Sequence, residues 1–182
     1  MADAPEPRPR LMPMRVPWRV DSEGGQLTLL VTECPEEQPT EVAFYALMLG
    51  PDPSGPFLRR AVRVLFEHGV AARLIPGDND LPFNPFEYDN SAVAPPAALR
   101  DNLAAVIHDA DERFRQDGIP ADPGFYMVLP SPWLKELAIE DEEMTHYMLV
   151  GRYAAVEVLA TGFRWEPFEP PAELRWFDTA GS

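Results

Sequence analysis

Proton or metal chemistry in this 182-residue chain must come from three histidines, one cysteine and 30 aspartates and glutamates. The pair with the most chemical promise is His146 and Glu157. Met144 to Val150 and Tyr153 to Ala160 read as strands flanking Gly151 and Arg152, and a two-residue loop with glycine first suits a type II′ hairpin turn. With Val150 opposite Tyr153, counting outward sets His146 opposite Glu157 on one face. Tyr147, Leu149, Ala154, Val156 and Val158 then share the other. A carboxylate beside an imidazole stabilises its charged form and equips the two groups for proton transfer. The plainer reading is a cross-strand polar pair worth at most about 1 kcal/mol, because spacing alone puts neither a nucleophile nor an orienting third group beside it.

Other candidates carry less. His108 lies beside the apolar stripe of an expected helix, near Asp111 and Glu112, and His68 precedes Gly69 where a helix end would welcome positive charge. Three histidines on three elements are not a metal-ligand spacing. Cys34 sits among Glu33, Glu36 and Glu37, a setting that disfavours a thiolate, and a single cysteine forms no intrachain disulfide. Asp78, Asp80 and Glu87 begin like a calcium loop, but Phe83 stands where such a loop needs glycine, and Pro82 and Pro85 stiffen it. The sequence has no glycine-rich phosphate loop, no serine elbow and no paired-histidine zinc motif. No metal, cofactor or catalytic residue is expected.

Two segments suit contact with another protein. The 20 residues from Pro76 to Pro95 form an unusually long loop, carrying Phe83, Phe86 and Tyr88 among Asp78, Asp80, Glu87 and Asp89. Those rings either pack back on the core or form apolar anchors ringed by acids. The second segment is the run Glu140, Asp141, Glu142, Glu143 before the final hairpin, whose bland reading is a solvated turn.

The elements that would hold these residues follow from periodicity. Met14 to Val20 alternates as a strand that Pro17 confines to an edge or a bulge, Asp21 to Gly25 turns, and Leu27 to Val31 completes an opening hairpin. Val42 to Leu49 is apolar on both faces, which suits a central strand, with a short helix beginning after Thr40 as the alternative. Ser54, Gly55 and Pro56 look like a helix start, with Leu58, Ala61, Val62 and Leu65 at helical spacing and Gly69 as the stop. Val70 to Ile75 follows as a strand, so 42 to 75 reads as strand, helix, strand with a right-handed crossover. A second helix is expected from about Pro96 to Gln116, with Leu99, Leu103, Val106, Ile107, Ala110 and Phe114 on one stripe. Asp109 with Arg113 and Asp111 with Arg115 pair on its outer face, and Gly118 ends it. Phe125 to Leu129 is a short strand, and Ser131 with Pro132 starts a brief helix to about Ala138.

The expected architecture is one α+β domain over residues 14–165. It has a mixed or mostly antiparallel sheet of about six to seven strands, two main amphipathic helices and a C-terminal β-hairpin. Residues 1–13 read as a disordered arm, and 166–182, with Trp176 and Phe177, as a Pro-rich acidic tail. The start shows no secretory pattern and no apolar run long enough to span a bilayer, so a cytoplasmic location is expected.

The formal charge is -15. Residues 14–76 carry only -2 of it and residues 77–182 carry -13, so acidity is regional. Few clustered cations remain for a phosphate backbone, which argues against direct nucleic-acid binding. An acidic field speeds encounter with a basic partner, with rates that fall as salt rises. The leading expectation is a non-catalytic acidic binding module, such as an immunity protein or inhibitor of a basic bacterial toxin. The alternatives are a small enzyme or small-molecule binder at His146 and Glu157, and a structural adaptor of a phage or secretion assembly.

Overall fold

Apolar residues at two-residue spacing, more than helical stripes, organise this chain. A computed structural model describes residues 8–21, 27–30, 39–52, 54–76, 88–92, 94, 96–99, 102–119, 124–151 and 154–169. The class is α+β, built on two antiparallel five-stranded sheets where one sheet of six to seven strands was expected.

The first sheet contains β1 (Arg10–Pro13), β7 (Phe125–Leu129), β8 (Thr145–Val150), β9 (Ala154–Ala160) and β6 (Ala71–Pro76), in that order. The second runs β10 (Gly162–Pro167), β5 (Leu58–Glu67), β4 (Thr40–Met48) and β2 (Trp18–Val20), with β3 (Thr28–Leu30) also paired to β4. Arg10–Pro13, expected in a disordered arm, is therefore paired with β7. Glu166 and Pro167, expected in the tail, complete β10.

One core joins the sheets. Val16, Trp18, Val20, Val42, Phe44, Ala46, Val62, Val64 and Phe66 from the second sheet meet Phe125, Tyr147, Leu149, Val156, Val158 and Ala160 from the first. Trp18 lies at its centre, edge-on to Phe44 with ring centroids 5.1 Å apart and stacked on Phe125 at 5.7 Å. The inward face of the final hairpin is thus the face its alternation foretold.

Three expectations fail, the first because a partner strand overrides a local pattern. The first expected helix is β5. Val62, Val64 and Phe66 are spaced for a strand as well as for a helix, and in the strand they meet Phe44, Val42 and Thr40 of β4 in register. Branched residues favour that choice. Both helix-like and strand-like spacings were present, and β4 decided between them. The strand–helix–strand crossover disappears with it, and His68 occupies an exposed bend at φ 48°.

The second helix starts late. A 3₁₀ turn at Ala97–Leu99 precedes α1 (Leu103–Asp117), whose N-cap is Asn102, its side chain accepting from the Ala105 N–H at 3.2 Å. Gly118 ends α1 with φ 65° and its N–H on the Phe114 carbonyl at 3.0 Å. Ala110 and Phe114 are buried, while Ile107 stays 51% exposed. Asp109 pairs with Arg113 at 2.9 Å as expected. Asp111 instead reaches Arg19 of β2 at 2.7 Å, and Arg115 donates to the Gly55 carbonyl at 3.0 Å, because that side of α1 faces the second sheet.

The final hairpin keeps its faces and shifts its register. Val150 pairs with Ala155 rather than Tyr153, and Gly151 donates to the Ala154 carbonyl at 2.8 Å. His146 lies opposite Leu159, and Glu157 lies opposite Met148. An even shift leaves every side chain on its own face, so His146 and Glu157 remain together as diagonal neighbours. The expected turn at Gly151 and Arg152 falls partly outside the described residues.

Candidate functional site

The outer face of the first sheet is where polar side chains converge. Along β9 the outward residues are Ala155, Glu157 and Leu159, and along β8 they are His146, Met148 and Val150, since alternate residues share a face. Apolar neighbours roof this face. Leu11, Tyr88, Tyr126, Val128, Met148, Val150 and Ala155 form one cluster, and Trp133, Met144 and Leu159 form another. Between them lies Glu157, 0% exposed.

A carboxylate buried this deeply must be fully hydrogen-bonded or neutralised. Arg73 stands opposite Glu157 in the β6–β9 register, with Nε 2.5 Å from Oε2. The Tyr88 hydroxyl donates to Oε1 at 2.9 Å. His146 Nε2 lies 3.3 Å from the same oxygen, close enough for charge attraction but outside good hydrogen-bond geometry. Burial alone would push the Glu157 carboxyl up. Attraction from His146, then the hydrogen bonds of Arg73 and Tyr88, outweigh it and hold the carboxyl below the ordinary glutamate range. Tyr88 is driven the other way, its hydroxyl kept protonated by burial and by the negative charge of Glu157.

The chain of contacts continues past His146. Nδ1 lies 3.0 Å from Oγ of Ser131, the N-cap of α2 (Pro132–Glu136). That Oγ also accepts the Leu134 N–H at 3.0 Å, so its own hydrogen is free for Nδ1, and the ring hydrogen then sits on Nε2 facing Glu157. Trp133 packs edge-on to the imidazole with centroids 5.6 Å apart, and the Arg73 guanidinium lies 4.2 Å from the Trp133 ring. Six side chains from β6, β8, β9, α2 and the segment at residue 88 are therefore interlocked.

The expected contact residues fare differently. Asp78, Asp80, Phe83, Phe86 and Glu87 lie outside the described residues. Tyr88 packs inward, 2% exposed, and so is not a surface anchor. Asp89 pairs with Arg10 at 3.2 Å, bridges to β1, and has its carboxyl held low by hydrogen bonds from Ser91. Glu140, Asp141, Glu142 and Glu143 are all exposed, on a turn where the Glu143 N–H reaches Asp141 Oδ1 at 2.9 Å and the Met144 N–H reaches the Asp141 carbonyl at 3.1 Å.

Sequence reasoning missed Arg73, Tyr88 and Ser131 as companions of the pair. Arg73 and Tyr88 are 84 and 69 residues from Glu157, and no local pattern encodes such pairings. Ser131 was legible as a helix cap, and only the packing of α2 over β8 brings it to His146. Among the described residues no group of three His, Cys, Asp or Glu side chains is placed to hold a metal ion, and no helix is long and apolar enough to cross a membrane. The chain matches no family model, no curated protein and no solved structure.

Proposed function

We propose that the chain is an acidic protein-binding module whose partner is a basic protein, in the manner of an immunity protein or toxin inhibitor. What supports this reading is the way charge is sorted. Arg10, Arg19, Arg59, Arg63, Arg73, Arg113 and Arg164 each lie within ion-pair distance of a carboxylate of the same chain. Seven of the 15 basic residues are thus offset within the chain, while Glu140, Asp141, Glu142 and Glu143 face solvent in a chain of net charge -15.

A field of that sign accelerates encounter with a basic surface and repels acidic ones, nucleic acids included. The turn that presents the carboxylates is braced by Met144 and Ile139, both packed with Trp133, so little ordering cost falls on binding.

The test is affinity capture from the native host with mass spectrometry, followed by purified binding at several salt concentrations. A basic protein should be retained, its association rate falling as salt rises. The combined change Glu140→Gln, Asp141→Asn, Glu142→Gln and Glu143→Gln should slow association at least tenfold at low salt. Asparagine at 141 keeps the acceptor that the turn uses. A captured partner whose association rate ignores both salt and these four changes would contradict the reading.

A further inference from the structure

The Ser131–His146–Glu157 chain has a geometry that neither partner binding nor the surface carboxylates require. From the geometry we infer that Ser131 is an activated nucleophile, with His146 as its base and Glu157 as the group that orients the base, able to take an acyl group from a carboxylic ester. This goes beyond the binding reading and does not rest on it.

The order of parts is the one nucleophilic catalysis needs: a hydroxyl within reach of an imidazole, and the far side of that imidazole against a buried carboxylate. Ser131 Oγ is 3.0 Å from Nδ1 and His146 Nε2 is 3.3 Å from Glu157 Oε1. The ring presents its two nitrogens in the reverse of the usual order, which changes neither the proton path nor the charge arithmetic. Burial is graded in the right direction as well. Glu157 and His146 are buried, whereas Ser131 is partly exposed between exposed Pro130 and Pro132. Of the three residues, only Ser131 is not buried.

Two further contacts suit the role. The Leu134 N–H points at Oγ and favours negative charge developing there. The Trp133 ring and the Arg73–Glu157 bridge fix the imidazole and the carboxylate in place. In the step itself, Oγ bonds to the ester carbonyl carbon while its proton passes to Nδ1. Glu157 stabilises the imidazolium so formed. The carbon–alkoxy bond then breaks and the alkoxide takes the proton from Nδ1, leaving as alcohol. Water attacks the acyl-serine, gives a proton to Nδ1, and Oγ regains it as the acid departs. Exposed Leu129 and the flanking prolines favour an apolar acyl group over a charged one.

The experiment exposes the full chain to a fluorophosphonate with an alkyl chain and follows intact mass, then maps the modified residue. One phosphonyl group on Ser131 is expected. Labelling should vanish in Ser131→Asn, which retains a helix-capping acceptor and so tests the nucleophile rather than the cap. In His146→Gln it should slow at least a hundredfold, the lower range for loss of a general base. Absence of label from the folded wild-type chain, label on another residue, or a Ser131 rate that His146→Gln leaves unchanged would each overturn the inference. None of these outcomes depends on a protein partner.

Discussion

Replacing Glu157 with glutamine probes the interlocked cluster with almost no change in volume. Every neighbour of this carboxylate presents a donor: Arg73 Nε, the Tyr88 hydroxyl and His146 Nε2. A glutamine amide offers one oxygen and one NH₂, so wherever it turns, the NH₂ confronts a donor and the arginine loses its counter-ion. Removing one partner of a buried pair costs about 3–5 kcal/mol. The lower end applies because the Arg73 side chain is 33% exposed and can turn its charge toward water. We therefore expect a loss of about 3 kcal/mol at pH 7, read as a lower midpoint in urea with an unchanged slope.

The sign with pH follows from the carboxyl being held below the ordinary glutamate value of about 4.5. Stability from the ionised group is present above about that pH and lost as pH falls through the lower, folded-state value. Wild type and Glu157→Gln should thus converge in acid, where both carry a neutral group at this position. A difference under about 1 kcal/mol at pH 7, or one that persists unchanged to pH 3, would refute the assignment of Glu157 as a charged centre of the fold.

Two shorter tests address the framework. Trp18→Ala removes the ring at the centre of the inter-sheet core and should cost about 3–5 kcal/mol in denaturant unfolding, near-neutral behaviour being incompatible with the packing described. Gly118→Ala places a Cβ at φ 65° with nothing within 4 Å, so its cost of about 1 kcal/mol should come from backbone strain alone, measured as a small drop in melting temperature.

Local signals carried a good part of this fold. The Gly118 stop, the Ser131 cap with Pro132 and the two faces of the final hairpin depend on residues within a few positions of one another, and the structure contains each. Asn102 is an equally local signal for the start of α1, and it lies six residues past Pro96, a competing helix start. Where spacing was compatible with two structures, as in Leu58–Glu67, propensity could not choose.

The sequence by itself determined the chain's acidity, its regional charge and the sharing of a face by His146 and Glu157, because composition and two-residue alternation survive any even shift of register. Tertiary structure decided that β5 is a strand, since nine successive pairings with β4 outweigh a helical stripe that found nothing to cover. It also decided that Glu157 meets Arg73, Tyr88 and His146, and that His146 meets Ser131. Those contacts exist only once β6, β8, β9 and α2 are packed together, because a buried charge far from its partners in sequence can be satisfied only by the completed fold.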